Sequence, residues 1–343
     1  MEFVFFGLLT CVALLTIVPN AMAQDTKKAG GKEGESKSLF AVDGWPLKLT
    51  YYKSTEGKEA AVVVLLHPKG ESRLAWTAPG GFAEQLNSKG FAVIALDFRK
   101  HGQSKPGADD DDTKKASSSD KDKKKSSANE LKSGDYLGMV ADLEAVKKFI
   151  FEEHQKGTLN MRKTSIVAPE MSAAVSLVFA VNDWNKKPYD DSATASGRTP
   201  RGQDIQALVL ISPETNVPGL QAHQVVPTLK ATPLAALIVV GKTDSHDKDQ
   251  AKKLFQQLGG DSSKLAAPKK TEAKKGKEKE AEAKKDESQR LYYVDPPTKL
   301  RGTDLFGKKL GVEEVMLGFL TKHVQELKGP VYEWRDRQSR LTE

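Results

Sequence analysis

Residues Thr164 to Ala180 read TSIVAPEMSAAVSLVFA, a short β-branched run that breaks at Ala168-Pro169-Glu170 and continues as an apolar helical pattern. β-branched residues favour a strand, whereas apolar residues at helical spacing over more than ten positions favour a buried helix. The proline and the charged residue between the two runs mark a turn. This stretch therefore predicts a strand, a tight turn and a buried helix.

Other apolar runs extend this pattern into an α/β sheet. Four continuous runs have strand length and the composition typical of a sheet that is covered on both faces, and a shorter strand follows them near the C-terminus. Between them lie amphipathic helical patterns, the longest of which runs from Tyr136 to Ile150. The four runs are Ala61–Leu66, Phe91–Leu96, Ile205–Ile211 and Leu234–Val240, and the last strand is Arg290–Val294.

The charge of the chain is concentrated outside these apolar runs. The 343 residues are 38% hydrophobic and 29% charged, with a formal net charge of +7. Most of the lysine lies in low-complexity stretches that also carry acids and cannot pack into a core. We interpret residues 24–38 as a disordered linker, residues 107–134 and 260–289 as disordered insertions in a domain over 39–328, and residues 329–343 as a tail.

The first 23 residues, MEFVFFGLLTCVALLTIVPNAMA, form an apolar run that ends in the small-x-small pattern Ala21-Met22-Ala23. This pattern predicts a secretory signal that is removed after Ala23, and hence export to the periplasm or the extracellular space. An uncleaved anchor is the alternative, but Pro19 and Asn20 interrupt the run before it reaches the length of a spanning helix. We therefore expect no transmembrane span after signal removal.

The sequence offers few residues for cofactor or metal chemistry. The only cysteine, Cys11, lies inside the predicted signal, so the mature chain would have no disulfide and no thiol nucleophile. No metal-ligand spacing, dinucleotide-binding glycine loop or Walker sequence occurs. We expect no cofactor, no metal and no specific nucleic acid partner.

Two further segments carry a family resemblance. After the first buried run the chain reads LLHPKGES (65–72), and after the second it reads AVIALDFRKHGQS (92–104). These segments resemble the α/β-hydrolases, which carry HG-x-G and then D-x-R-G-H-G-x-S at these places. Lys100 replaces one glycine, and Pro68 lacks an N–H. The resemblance extends over roughly residues 45–326 apart from the insertions, and it implies an α/β-hydrolase fold with a mostly parallel sheet and helices on both faces.

The resemblance also implies where a catalytic triad would lie. In the nucleophile elbow, small residues stand two positions before and after the nucleophile, which places Glu170 at the nucleophile position. The strand Leu234–Val240 is followed by GKTD, so Asp244 takes the place of the triad acid. The loop after the last strand, where the family has its histidine, contains Arg301, and the sequence has no histidine between positions 246 and 323.

These replacements predict an ion cluster in place of a catalytic triad. Arg301 would lie between Glu170 and Asp244 and bind them through its guanidinium fork. An arginine cannot act as a general base, because its pKa is above about 12. The backbone N–H groups of Met171 and Lys69 would occupy the oxyanion positions. We therefore expect a catalytically degenerate hydrolase homologue that binds a small ligand or a protein partner in the cleft at the carboxyl ends of the strands.

Two other interpretations stay open. In the first, the chain is an active hydrolase of esters or peptides with a displaced site, in which Ser172 is the nucleophile and His246 is the base. In the second, it is an envelope protein that binds polyanions through its Lys-rich segments and its tail, GPVYEWRDRQSRL. That tail could instead pack back on the domain through Tyr332 and Trp334. We expect His67, His101 and His323 to have structural roles.

Overall fold

The computed structural model describes residues 34–107, 130–261, 289–339 and 341. The predicted signal, most of the predicted linker and most of both predicted insertions lie outside these residues. The described strands are β1 (Glu35–Phe40), β2 (Pro46–Tyr52), β3 (Val62–Leu65), β4 (Ala92–Asp97), β5 (Thr164–Pro169), β6 (Ile205–Ile211), β7 (Asn216–Val217), β8 (Leu220–Gln221), β9 (Ala235–Val239) and β10 (Leu291–Val294).

Eight of these strands form one sheet, in the order β1-β2-β4-β3-β5-β6-β9-β10. The six strands from β4 to β10 in this order pair in parallel, while β1 and β2 are antiparallel additions at one edge. Strands β7 and β8 form a separate antiparallel pair. The central strands β3 to β6 are buried along their whole length, which explains why their sequences are continuous apolar runs instead of alternating ones.

Helices cover both faces of the sheet. Two clusters of buried apolar side chains form, one on each side of the sheet. The helices are α1 (Leu74–Thr77), α2 (Phe82–Ser88), α3 (Ser133–Gln155), α4 (Ser172–Asn185), α5 (Val226–Lys230), α6 (Gln250–Gln257) and α7 (Val312–Leu320). Helices α3 to α6 pack on one face, and α1, α2 and α7 pack on the other. The predicted mostly parallel α/β architecture is confirmed. Within the described ranges, none of the helices has the length and apolarity that crossing a membrane requires.

The structure corrects two of the predicted boundaries. The predicted linker 24–38 ends too late, because residues 35–38 belong to β1 and pair with β2. The composition of residues 35–38 is polar because β1 is an edge strand, in which one row of side chains faces solvent. The predicted insertion 107–134 also ends too late. Leu131 is buried, and the Asp135 carboxylate accepts the Lys132 N–H (2.7 Å) at the start of α3, which begins at Ser133.

The loop after β4 is held by buried ion pairs and a neutral histidine. Asp97 pairs with Arg73, and the Arg99 Nη2 donates to Asp142 Oδ1 (2.7 Å). His67 Nε2 accepts the Phe98 N–H (3.0 Å), which requires a neutral ring. Burial, helped by the nearby His101, lowers the pKa of His67 to about 4, so the ring is neutral at physiological pH. These contacts fit the structural role that was expected of the histidines in this region.

The C-terminal segment Val331–Ser339, here called the C-terminal strap, lies against the domain. The Trp334 indole N–H donates to the His154 carbonyl (3.0 Å), and its ring lies beneath Lys58. Arg337 is buried and forms a two-pronged ion pair with Asp204, with Nη–O distances of 2.7 and 3.0 Å. The tail therefore packs on the domain, and Arg337 is not available to bind a polyanion.

Candidate functional site

Three sheet strands position the triad-equivalent residues at one edge of the sheet. Glu170 follows β5 directly, Asp244 lies in the loop after β9, and Arg301 lies in the loop after β10. Because parallel strands end at the same edge, their carboxyl ends form the crevice in which open α/β sheets bind ligands. The structure thus brings together the three residues that the sequence assigned to this site.

Glu170 has the backbone of a strained turn. Its φ is +50°, in the left-handed region that non-glycine residues seldom adopt. Two neighbours fix this conformation: the Glu170 N–H donates to the Ile211 carbonyl (2.8 Å), and the Glu170 carbonyl accepts the Glu214 N–H (3.1 Å). The strain therefore places the carboxylate at the tip of the turn between β5 and α4, where an elbow would present its nucleophile.

Arg301 lies among the carboxylates, but not as a fork on the predicted pair. Its Nε is 3.4 Å from Glu170 Oε1 and 3.8 Å from Asp244 Oδ2, and neither contact is a hydrogen bond. Its Nη2 donates instead to Glu214 Oε1 at 3.1 Å. The predicted ion cluster therefore forms. The predicted fork geometry is wrong, because the Arg301 Nη2 donates to Glu214 and not to Glu170 or Asp244.

Two acidic residues of this site escaped the sequence reasoning. Glu214 follows β6, the strand next to β5, so its place at the carboxyl end of a central strand was a usable signal. Glu71 lies in the loop after β3, and its carboxylate accepts the Thr303 hydroxyl at 2.8 and 2.9 Å. Together with Glu170 and Asp244 they form a set of four carboxylates that we call the acidic cluster. Arg301 pairs with Glu170, Glu214 and Asp244, and Glu71 acts electrostatically on Glu170.

The acidic cluster perturbs the ionisation of Glu170. Burial raises the pKa of the Glu170 carboxyl, and Glu214, Glu71 and Asp244 add to this rise, while Arg301 opposes it. The carboxylate repulsion and burial therefore outweigh the attraction of the single guanidinium.

The substitution Glu170→Gln should raise the melting temperature slightly at pH 7.5. Because the folded-state pKa of Glu170 is raised, the ionised form costs stability above that pKa, and this cost is absent below the unfolded value near 4.5. The advantage of the variant should therefore shrink as the pH falls toward 4.5. Thermal unfolding followed by circular dichroism at both pH values checks this, and a loss of stability at pH 7.5 would contradict it.

The alternative nucleophile and base occupy unsuitable positions. Ser172 is fully buried in the first turn of α4, and its hydroxyl donates to the Pro169 carbonyl, so a substrate cannot reach it. The His246 ring is 71% exposed, and its Nδ1 is 3.6 Å from Asp244 Oδ1. The displaced Ser172–His246 pair therefore does not form a nucleophile and base in hydrogen-bond contact.

At the oxyanion-equivalent positions, the groups that could donate to a ligand are the backbone N–H groups of Met171 and Lys69. Met171 is buried and Lys69 is exposed. Neither residue's N–H donates a hydrogen bond to another described residue.

Beside Asp244, a cavity of about 550 Å³ opens at the carboxyl ends of β9 and β10, lined by polar residues that include Lys242, Asp247 and Asp295.

The site does not resemble a metal centre. Within the residues that the structure describes, no three histidine, cysteine, aspartate or glutamate side chains converge closely enough to hold a metal ion. Three of the four carboxylates of the acidic cluster pair with the Arg301 guanidinium instead.

Solved structures of hydrolases share this fold. A dienelactone hydrolase from Anabaena variabilis aligns with a TM-score of 0.50 at 15% identity, over 85% of this chain and 97% of that one. An esterase from Pyrococcus furiosus gives 0.51 at 15% identity, over 85% and 91%. DcsB in complex with a substrate analogue gives 0.52 at 13% identity, over 85% and 99%. No protein-family model and no curated protein matches the sequence. The chain therefore has the α/β-hydrolase fold, and the likeness extends to the fold alone.

Proposed function

We propose that this protein is a non-catalytic member of the α/β-hydrolase fold that binds a ligand or partner at the carboxyl edge of its sheet. The contact of the Arg301 guanidinium with both Glu170 and Asp244 carries the proposal. A triad needs a group that accepts a proton from the nucleophile, and a guanidinium stays protonated at every physiological pH. Export through the N-terminal signal is part of the same proposal.

The geometry also supports this role over the two alternatives. The hydroxyl of Ser172 is buried and engaged by the Pro169 carbonyl, which weakens the case for a displaced hydrolase site. The ion pair between Arg337 and Asp204 holds the tail against the domain, which weakens the alternative in which this tail binds polyanions.

The proposal predicts no ester turnover by the chain from Gln24 onward. Hydrolysis of p-nitrophenyl esters with short and long acyl chains should not exceed the buffer rate, because no described group can activate the nucleophile position. The same assay on Ser172→Ala, Glu170→Gln and His246→Ala should give the same background rate. Turnover by the unaltered protein that disappears in one of these variants would overturn the proposal and identify the residue that carries the reaction.

A further inference from the structure

Among the described residues, the acidic cluster carries more negative charge than the one cation that pairs with it, Arg301, can balance. Glu71, Glu170, Glu214 and Asp244 supply four carboxylates, and Arg301 supplies one guanidinium. The carboxylates act on one another, since three of them raise the pKa of Glu170 against the effect of Arg301. A second cation in this crevice would relieve that repulsion.

Two buried polar atoms lie unsatisfied where Arg301 meets Asp244. The Asp244 side chain is fully buried and the residue is only 9% exposed, yet Oδ2 has no hydrogen-bond partner among the described residues. Its nearest opposite charge is the Arg301 Nε, 3.8 Å away, which also lacks a hydrogen bond. Buried polar groups are nearly always hydrogen-bonded, so this carboxylate oxygen has the capacity to accept a donor that is supplied from outside the chain.

The outer carboxylates are open to solvent. The Glu214 side chain is 38% exposed and accepts only one of the Arg301 N–H groups, through Oε1. Glu170 is 20% exposed at its side chain. A ligand can therefore reach these two carboxylates from the crevice.

We propose that the acidic cluster binds the cationic group of an organic ligand, an alkylammonium or a guanidinium. This inference rests on the proposed non-catalytic binding role and names the chemistry of the ligand. A metal ion is a poorer fit, because no three acidic or metal-ligating side chains in the described residues converge. A planar or extended cation can contact carboxylates that are spread around a cavity, as the guanidinium of Arg301 already does.

The test is calorimetric titration of the unaltered chain with methylguanidine and n-butylammonium, with n-butanol and butyrate as neutral and anionic counterparts. We expect binding of the cations alone, weakened by salt, because exposed charges are screened. An acetylated arginine amide, added as a third cation, distinguishes a free small molecule from a protein side chain as the source of the cation. Binding of butyrate in preference to the cations would overturn the proposal, as would binding of none of the probes.

Isosteric variants assign the binding to the cluster. Glu214→Gln and Glu71→Gln should each weaken cation binding, by about tenfold for Glu214, because each loses a charge-assisted hydrogen bond. Glu152→Gln removes a surface carboxylate from α3 and should leave binding unchanged. Equal affinity in all three variants would exclude the acidic cluster as the site. Absence of cation binding would leave the proposed function intact, whereas ester turnover would refute that function whatever the titration shows.

Discussion

Replacing Asp204 with asparagine should lower the free energy of unfolding by about 3–5 kcal/mol, the usual cost of removing one partner from a buried ion pair. Asp204 is buried immediately before β6 and contacts three cations. Its oxygens lie 2.7 and 3.0 Å from the Arg337 guanidinium, 2.9 Å from Lys147 Nζ and 3.3 Å from Arg162 Nη1. The asparagine would leave Arg337 and Arg162 without a carboxylate partner among these ion pairs, and Lys147 with Asp183 alone.

The companion variant Arg337→Met should cost less, about 1–3 kcal/mol. Without Arg337, the cations Lys147 and Arg162 still face the two carboxylates Asp183 and Asp204, so the buried charges balance. Urea unfolding at pH 7 measures both losses. Asp190→Asn is the control, because Asp190 pairs with Arg198 at an exposed site, where ion pairs contribute less than about 1 kcal/mol. Equal losses in Asp204→Asn and Asp190→Asn would contradict the assignment.

Lowering the pH should remove the contribution of Asp204 to folding stability over a defined pH range. Burial opposes its ionisation, but Arg337, Lys147 and Arg162 outweigh burial and lower the pKa of Asp204 to about 2, from an ordinary 3.8. A lowered carboxyl pKa stabilises the fold above the unfolded value, here by about 2 kcal/mol. This stabilisation is lost as the pH falls from near 4 toward 2, so the unaltered chain should lose more stability in that window than Asp204→Asn.

Rebuilding the triad with Glu170→Ser and Arg301→His should create esterase activity. The serine would stand at the tip of the strained turn, and an imidazole at position 301 reaches about as far as the Arg301 Nε, which contacts both neighbours. Asp244 would then hold the imidazole in the required tautomer. We expect hydrolysis of p-nitrophenyl acetate to rise about 10²–10⁴-fold above the unaltered chain, the range that a positioned general base provides.

Each single substitution is the control for the pair. Glu170→Ser lacks a base and Arg301→His lacks a nucleophile, so both should remain at the background rate. Adding Asp244→Asn to the double variant should abolish most of the gain, because the imidazole loses its orienting partner. A double variant no faster than the unaltered chain would show that the backbone geometry of the site no longer supports the reaction.

The buried parts of the fold were predictable from the sequence because burial imposes a pattern. The run Ile205–Ile211 was predicted with the bounds that β6 has, and the segment around Glu170 was predicted as the strand, turn and helix that the structure contains. Strand β1 was missed, because an edge strand needs backbone partners on one side only and its side chains carry little apolar signal. Its partner β2 supplies the hydrogen bonds that no local pattern records.

The loop that carries each of the three triad-equivalent residues was predictable, whereas the contacts between loops were not. The resemblance to the α/β-hydrolases placed Glu170, Asp244 and Arg301 at the triad positions, which are neighbours in that family, so their meeting was foreseeable. The contact of Arg301 with Glu214 depends on which side of the guanidinium faces which loop, and spacing along the chain contains no such information. The buried role of Arg337 was hidden for the same reason, since its partner Asp204 lies 133 residues earlier in the sequence.

The order of synthesis determines when the C-terminal strap can pack on the domain. Chains are made from the N-terminus, and domains begin to fold before synthesis ends. Arg337 is made 133 residues after Asp204, so the strands up to β6 are synthesised while Asp204 still lacks this partner. Lys147 and Arg162 are already present at that stage and match the charges of Asp183 and Asp204. The strap therefore adds its ion pair to a group of buried charges that is already balanced without it, and a chain that is cut before Val331 should still assemble its sheet.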